Sequence, residues 1–198
     1  MGTRIVIFAK APVPGHVKTR LIPALGAEGA ARLAHCMLLD TYGQAASVPG
    51  ASTELCTAPA PGAAEWDGLL PPGASRTSEQ GEGDLGARLA RAAQRVTAEG
   101  DRVVLIGTDC PDLDRRRLES ACRKLEEHDA IIHPTFDGGY ALLGLSRFDP
   151  SIFSGIAWSS RTVAADTIAR IQALGWSLAR GETLRDVDQP EDLAKVGW

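Results

Sequence analysis

The stretch RIVIFAKAPVPGHVKTRL, residues 4–21, joins a short apolar run to a cationic loop rich in turn residues. Apart from Arg4, residues 4–9 form a short apolar run rich in β-branched residues and bounded by a turn-rich segment, which predicts a buried parallel strand. The prolines and glycine of the loop suit tight turns but do not explain its positive charge. The three cations of the loop are Lys10, Lys18 and Arg20. No carboxylate precedes Glu28, although the protein has a net charge of -4, so the loop is a local positive region.

Predicted strands and helices alternate along the rest of the chain. The predicted strands are 4–9, 52–58, 102–107, 130–134, 140–145 and 176–180. The predicted helices are 27–46, 84–97, 114–128, 160–174 and a short one at the end of the chain, and residues 59–83 are predicted to be mainly loop. This alternation predicts a mostly parallel sheet with helices on both faces. The length favours a single α/β domain over residues 1–198.

Composition excludes several classes of protein. With 44% hydrophobic and 23% charged residues, the chain is typical of a soluble globular protein. Its apolar runs are far shorter than the roughly 20 residues of a membrane span, and no signal peptide is recognisable, so a cytoplasmic location is expected. A pI near 5.6 without a further basic stripe argues against nucleic-acid binding. The four cysteines lack C-x-x-C spacing and are expected to be reduced, and Asp109 and Asp112 disfavour a nucleophilic Cys110.

A ligand site is expected where the strands end. In open α/β sheets, ligands bind outside the carboxyl ends of the strands. Both the cationic loop and GTDCPDL, residues 107–113, follow strong strand candidates, so cations and carboxylates are expected to meet in one crevice. Three cations and the backbone N–H groups of a helix start suit a pyrophosphate or triphosphate, although a solvated basic loop is also compatible. The loop is neither a Walker A sequence nor G-x-G-x-x-G.

Carboxylates at the same edge favour a divalent metal. Asp109 follows an apolar strand, where a carboxylate is costly unless it is solvated, paired or bound to a cation. Mg²⁺ accepts one or two protein carboxylates and completes its shell with water and substrate phosphates. A second acid is expected in RDVDQPEDL, residues 185–193, where Asp186 and Asp188 alternate and so share one face of an extended segment. A helix N-cap role is the alternative for Asp188, because Pro190 follows early in the predicted helix.

Two glycine-rich segments and one aromatic segment are further candidates for ligand binding. FDGGY, residues 136–140, pairs Asp137 with two glycines that permit close approach to a ligand, and a hairpin turn is equally compatible. QGEGDLGARLA, residues 80–90, either cradles a base or ribose or is a flexible linker ending in a helix cap. Trp158 forms an acceptor lip or a hydrophobic staple at a helix start. The four histidines show no metal-ligand spacing, so a zinc site is not expected.

Six segments in this order carry a family resemblance over nearly the whole chain. They are FAKAPVPGHVKTRL, QGEGDLGARL, GTDCPDL, DGGYALLGL, F-x-G-I-x-W-S and DVDQPEDL. The pattern resembles a bacterial family labelled as glycosyltransferases, some members of which carry an arsenosugar-biosynthesis label. That family is assigned to the nucleotide-diphospho-sugar transferase superfamily, which implies a GT-A-like, Rossmann-like α/β fold.

More distant similarities bear on the chemistry. KTRLIPALG is similar to the KSRL segment of phospholactate guanylyltransferases, and GTDCPDL with DVDQPEDL is similar to the metal-carboxylate segments of sugar-acid cytidylyltransferases. The resemblance implies Lys10, Lys18 and Arg20 on nucleotide phosphates, with Asp109 and Asp188 on Mg²⁺ or Mn²⁺. The glycine-rich segment adds Gly83, Asp84 and Leu85 as nucleotide-binding candidates. The chain departs from the family at His16, where arginine is more frequent, and at Gln189, where threonine is common.

The sequence thus predicts a metal-dependent transferase acting on an NTP or an NDP-sugar and a small-molecule acceptor. Nucleotidyl transfer to a phosphate- or phosphonate-bearing acceptor is narrowly favoured, because three cations suit a triphosphate and an anionic acceptor needs no base. Glycosyl transfer is the alternative, and its neutral hydroxyl acceptor requires a base such as Asp137 or Asp112. The candidate catalytic residues are Lys18, Asp109 and Asp137. A non-catalytic nucleotide-binding protein is a second alternative, and the oligomeric state stays open, with a homodimer among the options.

Overall fold

A computed structural model describes residues 1–195 and shows a seven-stranded sheet in the order β3-β2-β1-β4-β6-β5-β7. The strands are β1 (Thr3–Lys10), β2 (Ala51–Ala58), β3 (Thr77–Glu79), β4 (Arg102–Ile106), β5 (Ala130–Pro134), β6 (Tyr140–Leu145) and β7 (Leu178–Arg180). The helices are α1 (Ile22–Ala46), α2 (Leu85–Ala98), α3 (Arg115–Lys124) and α4 (Val163–Ala173). Short 3-10 helices cover Thr19–Leu21, Ala64–Trp66, Pro150–Phe153 and Pro190–Lys195.

The sheet is mostly parallel, as predicted. Only β6 runs against its neighbours, pairing antiparallel with β4 and β5. The turn between β5 and β6 therefore closes a hairpin, which confirms that interpretation of the segment around Asp137. The short strand β3 was not predicted, because its three residues carry no apolar run within a polar loop.

Helix boundaries differ from the predictions where local signals were weak. The first helix was predicted to begin at residue 27. Helix α1 begins earlier, at Ile22, but Gly26, with a φ of 70°, kinks it, so residue 27 starts the part that follows the kink. The predicted helix 114–128 is capped by Asp114 as expected but ends at Lys124. The predicted helix 160–174 begins only at Val163.

Two apolar layers hold the sheet between its helices. On one face α1 and α3 place Leu38 and Leu118 in the cluster that includes Ile7 of β1. On the other face α2 and α4 place Leu89 and Ile171 in the cluster that includes strand residues of β1, β4 and β6. Burying each such aliphatic side chain contributes about 1.5–3 kcal/mol. No helix in the described residues is long and apolar enough to span a membrane.

A buried ion network ties β1, β2 and α2 together. Glu54, 1% exposed, pairs with Arg95 and lies 3.4 Å from Arg4 Nη1, and Arg4 is itself 4% exposed. Burial opposes ionisation of Glu54, but hydrogen bonds from Arg95 and Ser78 and the charges of both arginines outweigh it, so its pKa is lowered. Arg4 also reaches Glu99 at 2.7 Å and Asp101 at 2.9 Å.

The strand directions define one functional edge of the sheet. β1, β2, β3, β4, β5 and β7 all run the same way, so the segments that follow them leave the sheet on one side. The β5–β6 turn opens on that side as well. We call this side the carboxyl edge.

Candidate active site

Lys18 lies at the centre of the carboxyl edge and holds two carboxylates. Its Nζ is 2.5 Å from Oδ1 of Asp109 and 3.3 Å from Oδ1 of Asp188. The Lys18 side chain is only 6% exposed, whereas those of Asp109 and Asp188 are 53% and 38% exposed. Its backbone adopts the left-handed conformation, with φ 47° and ψ 40°, which costs an ordinary residue about 1–2 kcal/mol. The Lys18 side chain extends between the two acids.

Main-chain contacts bring the two acidic segments together. The N–H of Val187 donates to the Asp109 carbonyl at 2.8 Å, and Lys18 Nζ donates to the Val187 carbonyl at 2.6 Å. Val187 is buried, so its neighbours Asp186 and Asp188 lie on the opposite side of the extended segment.

The structure also separates the metal and helix-cap interpretations of Asp188. The Asp192 carboxylate accepts from the backbone N–H groups of Asp188 and Gln189 at 3.2 and 2.9 Å. Asp192 therefore ties the final 3-10 helix to the segment that precedes it. The Asp188 carboxylate faces Lys18 and Arg20 instead.

The other two cations of the first loop line the rim. Arg20 is 66% exposed and its Nη1 lies 3.7 Å from Oδ2 of Asp188. Lys10 is exposed at the end of β1 and makes no ion pair within residues 1–195. Lys18 therefore contacts both Asp109 and Asp188, Arg20 contacts Asp188, and Lys10 lies at the start of the same loop.

Four carboxylates share this edge. Asp186 is half-buried, and its pKa is raised by burial first and then by the charges of Asp137, Asp188 and Asp109. Asp137 is fixed in the β5–β6 turn, where its Oδ1 accepts from the Thr135 hydroxyl and from the Gly139 N–H. Sequence reasoning noted the alternation of Asp186 with Asp188 but did not select Asp186 for the site. The alternation, which places Asp186 on the same face as Asp188, was the sequence signal that could have identified Asp186.

The donors present fit one hard divalent cation. Within the described residues no group of three or more His, Cys, Asp or Glu side chains is arranged as a metal cage. Mg²⁺ nevertheless needs only one or two protein carboxylates when substrate phosphates and water supply the rest. The ammonium of Lys18 contacts Asp109 and Asp188 together, so one cation can reach both acids. Asp109 and Asp188 therefore meet the requirement of Mg²⁺ for one or two protein carboxylate ligands.

The glycine-rich segment before α2 is anchored rather than flexible. Arg88 Nε donates to the Gly83 carbonyl at 2.9 Å, and Arg91 donates to the carbonyls of Gln80 and Glu82. Buried Gln80 in turn bonds the carbonyls of Ala9 and Cys56, both at 3.1 Å. These contacts fix the segment on the ends of β1 and β2.

The predicted nucleotide candidates of this segment lie beside its anchors. The Asp84 side chain caps α2 by accepting from the Ala87 N–H at 2.8 Å. Gly83 has a φ of 102°, and Leu85 is 46% exposed. All three are on the rim and none touches Lys18 or the acids. Trp158 packs on Gly86, where a Cβ atom would lie 2.4 Å from its indole nitrogen, so its ring covers the start of α2.

Sequence reasoning missed one exposed pair at the rim. Phe136 is 63% exposed, and the guanidinium of Arg185 stacks on its ring at 4.3 Å. The two residues directly precede Asp137 and Asp186, and the Phe136 N–H donates to the Leu184 carbonyl at 3.2 Å. The only signal for this pair in the sequence was an aromatic residue next to a predicted turn.

Cys110 is a poor nucleophile, as predicted. It is 8% exposed. Burial, with the charges of Asp112 and Asp186, raises the pKa of its thiol to about 12. The thiolate is therefore scarce at neutral pH.

The chain belongs to the bacterial family described as "Uncharacterized protein conserved in bacteria (DUF2064)", whose model matches residues 39–160. A crystal structure from Desulfovibrio desulfuricans G20, named "putative nucleotide-diphospho-sugar transferase", is 33% identical to this chain. The match covers 96% of this chain and 84% of that chain, with a TM-score of 0.86. It confirms the resemblance to the nucleotide-diphospho-sugar transferase superfamily. No curated protein matches the sequence.

Two more distant structures share the fold. CMP:2-keto-3-deoxy-manno-octonic acid synthetase complexed with CTP is 12% identical, covers 99% of this chain and 97% of that chain, and has a TM-score of 0.57. The Mycobacterium tuberculosis H37Rv protein Rv0371c complexed with manganese is 16% identical, covers 99% and 98% of the two chains, and has a TM-score of 0.51. The predicted GT-A-like fold is therefore confirmed, and the name of the Desulfovibrio structure agrees with the prediction of a transferase.

Proposed function

We propose that this protein is a divalent-metal-dependent nucleotidyltransferase that acts on an NTP and a small acceptor bearing a phosphate or phosphonate group. The observation that carries the proposal is the insertion of Lys18 between Asp109 and Asp188 at the carboxyl edge. Two further cations of the same loop are exposed beside this cluster. A triphosphate and a metal together match this arrangement of three cations and two acids.

The charged residues divide into phosphate and metal ligands. Lys10 and Arg20 are exposed and bind phosphate oxygens, Arg20 while it remains beside Asp188, and Lys18 neutralises charge next to them. Asp109 and Asp188 hold Mg²⁺ or Mn²⁺. When bound, this cation stabilises the negative charge that grows on the pyrophosphate leaving group. Asp137 and Asp186 add negative charge to the site. This charge favours the binding of a divalent cation, because Lys18 alone does not balance it.

The rim before α2 is the proposed place of the nucleoside. Gly83, Asp84 and Leu85 follow β3 and lead into the first turn of α2, close in sequence to Gln80, which bonds the ends of β1 and β2. An exposed Leu85 offers an apolar surface to a base, and the positive φ of Gly83 turns the backbone without a Cβ atom in the way. The arginine anchors hold this surface in place before the nucleotide arrives.

The exposed pair of Phe136 and Arg185 supports an anionic acceptor. Arg185 makes no ion pair in the described part of the chain, although it precedes Asp186, so its guanidinium is available. An acceptor oxygen that is already anionic attacks the α-phosphorus, a new P–O bond forms, and the bond to the β-phosphate oxygen breaks. Pyrophosphate leaves with both electrons of that bond. No base is needed because no proton is removed.

Glycosyl transfer from an NDP-sugar is the second candidate, favoured by the name of the Desulfovibrio structure. A neutral hydroxyl acceptor needs a base, and Asp137 is the candidate. Its Oδ1 is occupied by the Thr135 hydroxyl and the Gly139 N–H, which leaves Oδ2 to accept a proton. The first experiment therefore incubates the protein with Mg²⁺, a panel of acceptors, and each NTP or NDP-sugar.

The released product distinguishes the candidates. Pyrophosphate release supports nucleotidyl transfer, and nucleoside diphosphate release supports glycosyl transfer. Activity that survives EDTA contradicts the metal assignment. Thermal stabilisation by a nucleotide without any turnover favours a non-catalytic binding protein, because a ligand that binds only the folded state raises Tm by mass action.

A further inference from the structure

A second polar cavity lies away from the crevice, between α3 and the β5–β7 side of the sheet. Its volume is about 530 Å³. The cationic and imidazole side chains along it are Arg116, Arg117, Arg123, Lys124, Arg180 and His133. None of the residues assigned above to metal, nucleotide or acceptor lines it. We call it the α3–β7 groove.

The groove carries more positive than negative charge, although the protein as a whole is acidic. Its carboxylates are already paired. Arg117 lies 2.8 Å from Glu182 and 3.3 Å from Asp114, and Arg123 lies 3.7 Å from Glu119. The remaining cations, Arg116, Lys124 and Arg180, have no carboxylate partner among residues 1–195.

A buried histidine forms the floor of the groove. His133 is 5% exposed, and its Nδ1 lies 3.2 Å from the Glu182 carbonyl. Because a carbonyl only accepts, Nδ1 carries the proton and Nε2 is left as an acceptor. No protein group in the described residues pairs with Nε2. The ring lies flat on Gly181, where a Cβ atom would be 2.1 Å from Cε1.

His133 is neutral at ordinary pH. Burial lowers its pKa, and the charges of Lys124 and Arg117 lower it further against the opposing effect of Glu182. The groove therefore combines a neutral imidazole acceptor with unpaired cations along its walls. It suits a ligand that offers both negative oxygens and one O–H.

We propose that the α3–β7 groove is a second binding site, distinct from the crevice, for a small phosphorylated molecule. A singly protonated phosphate places its O–H on Nε2 of His133 and its charged oxygens on Arg116, Lys124 and Arg180. Arginine forks match phosphate oxygens in geometry as well as charge. The volume lies within the roughly 300–1,000 Å³ of small-molecule sites. A nucleic acid is not expected, because a groove of about 530 Å³ is too small to follow an extended backbone.

The experiment titrates the whole protein with inorganic phosphate, and separately with glycerol phosphate, at constant ionic strength. The imidazole signals of the four histidines are followed by NMR, and His133 is assigned through the His133→Gln variant. We expect saturable shifts of the His133 signals and a rise of its pKa when phosphate is present. Equal additions of chloride are expected to leave the signals unchanged, since simple screening is not site-specific.

Matched variants locate the binding. The Lys124→Ala and Arg180→Ala double variant is expected to weaken phosphate binding at least tenfold. Arg76→Ala, which removes an exposed cation before β3 at the opposite edge of the sheet, is expected to leave it unchanged. Lys18→Met is also expected to leave the His133 response to phosphate intact. The test of the groove is therefore independent of whether the proposed function of the crevice is correct. Circular dichroism confirms that each variant is folded, and Arg116→Ala replaces the double variant if that one is not.

Two results overturn the proposal. One is an NMR signal of His133 that does not shift at phosphate concentrations high enough to saturate every other site. The other is equal phosphate affinity in the wild type and the double variant. A response that Lys18→Met abolishes assigns the bound phosphate to the crevice and also rejects a separate site.

Discussion

Lys18 and Asp188 are 170 residues apart in the sequence, yet Nζ of the lysine lies 3.3 Å from Oδ1 of the aspartate. The same ammonium also contacts Asp109. A cation from the first loop thus joins acids that follow β4 and β7. The predictions below begin with this contact.

Asp109→Asn is expected to lower turnover by about 10²–10³-fold, the range for losing one main electrostatic contact of a reaction. The variant keeps the shape of the side chain but loses the charge that a divalent cation requires. Pyrophosphate release measures the loss, and circular dichroism checks the fold. Asp67→Asn, an exposed acid outside the crevice, serves as the control. Full activity in Asp109→Asn removes Asp109 from the metal site.

Lys18→Met is expected to lose activity but to gain stabilisation by metal alone. Without the ammonium, Asp109 and Asp188 repel each other, and a divalent cation relieves that repulsion. The rise in Tm on adding Mg²⁺ in the absence of nucleotide is therefore expected to be larger than in the wild type. Arg20→Met removes a more exposed and more distant cation, so its Mg²⁺ response is expected to change less. Equal responses in all three proteins contradict the bridging role of Lys18.

Asp186→Asn is expected to stabilise the metal-free protein by about 0.5–2 kcal/mol and to reduce turnover. Asp186 is half-buried among three like charges that raise its pKa, so its ionised form is disfavoured in the folded state. Urea unfolding at pH 7 with EDTA measures the gain in the free energy of unfolding. The same experiment on Asp166→Asn, outside this acidic cluster, shows whether the gain is specific to the site. A loss of stability in Asp186→Asn refutes the repulsion argument.

Glu54→Gln is expected to reduce the free energy of unfolding at pH 7 by up to about 3–5 kcal/mol, because Arg4 and Arg95 both lose the charge of their shared buried carboxylate. Only Arg4 keeps two other close acids, Glu99 and Asp101. The pKa of Glu54 is lowered in the folded state, so its contribution is present above the unfolded value near 4.5 and is lost as pH falls through the folded value. Urea midpoints between pH 7 and pH 3 are expected to fall less steeply in the variant. Glu99→Gln, in which the lost acid is 45% exposed, is expected to cost less. An equal cost for both variants contradicts the role of burial.

Gly138→Ala is expected to destabilise the protein and to impair turnover together. Gly138 has a φ of 95°, and a Cβ atom there would lie 2.1 Å from the Arg161 carbonyl oxygen, so the turn that carries Asp137 must move. Gly43→Ala in α1, where a Cβ atom meets nothing within 4 Å, is the control and is expected to add up to about 1 kcal/mol through helix propensity. Thermal melting and the activity assay measure both variants. An unchanged Tm in Gly138→Ala shows that the turn can adapt.

Much of the fold followed from local patterns. The apolar β-branched runs predicted six of the seven strands, and Asp84 and Asp114 marked two helix starts through their capping chemistry. The ends of helices were less predictable, because the termination of α3 and the late start of α4 depend on packing. The three-residue strand β3 forms only because β2 offers it a partner.

The sequence by itself determined the alternating α/β pattern, the positive first loop, and the acids that follow the later strands, since these depend on residue type and local spacing. Only the tertiary structure decided that Lys18 reaches Asp109 and Asp188, that the Asp188 carboxylate also faces Arg20, that Asp186 joins the acidic cluster, and that Arg185 stacks on Phe136. Local patterns act over a few residues, whereas these contacts depend on strand order and on the direction in which each distant loop leaves the sheet.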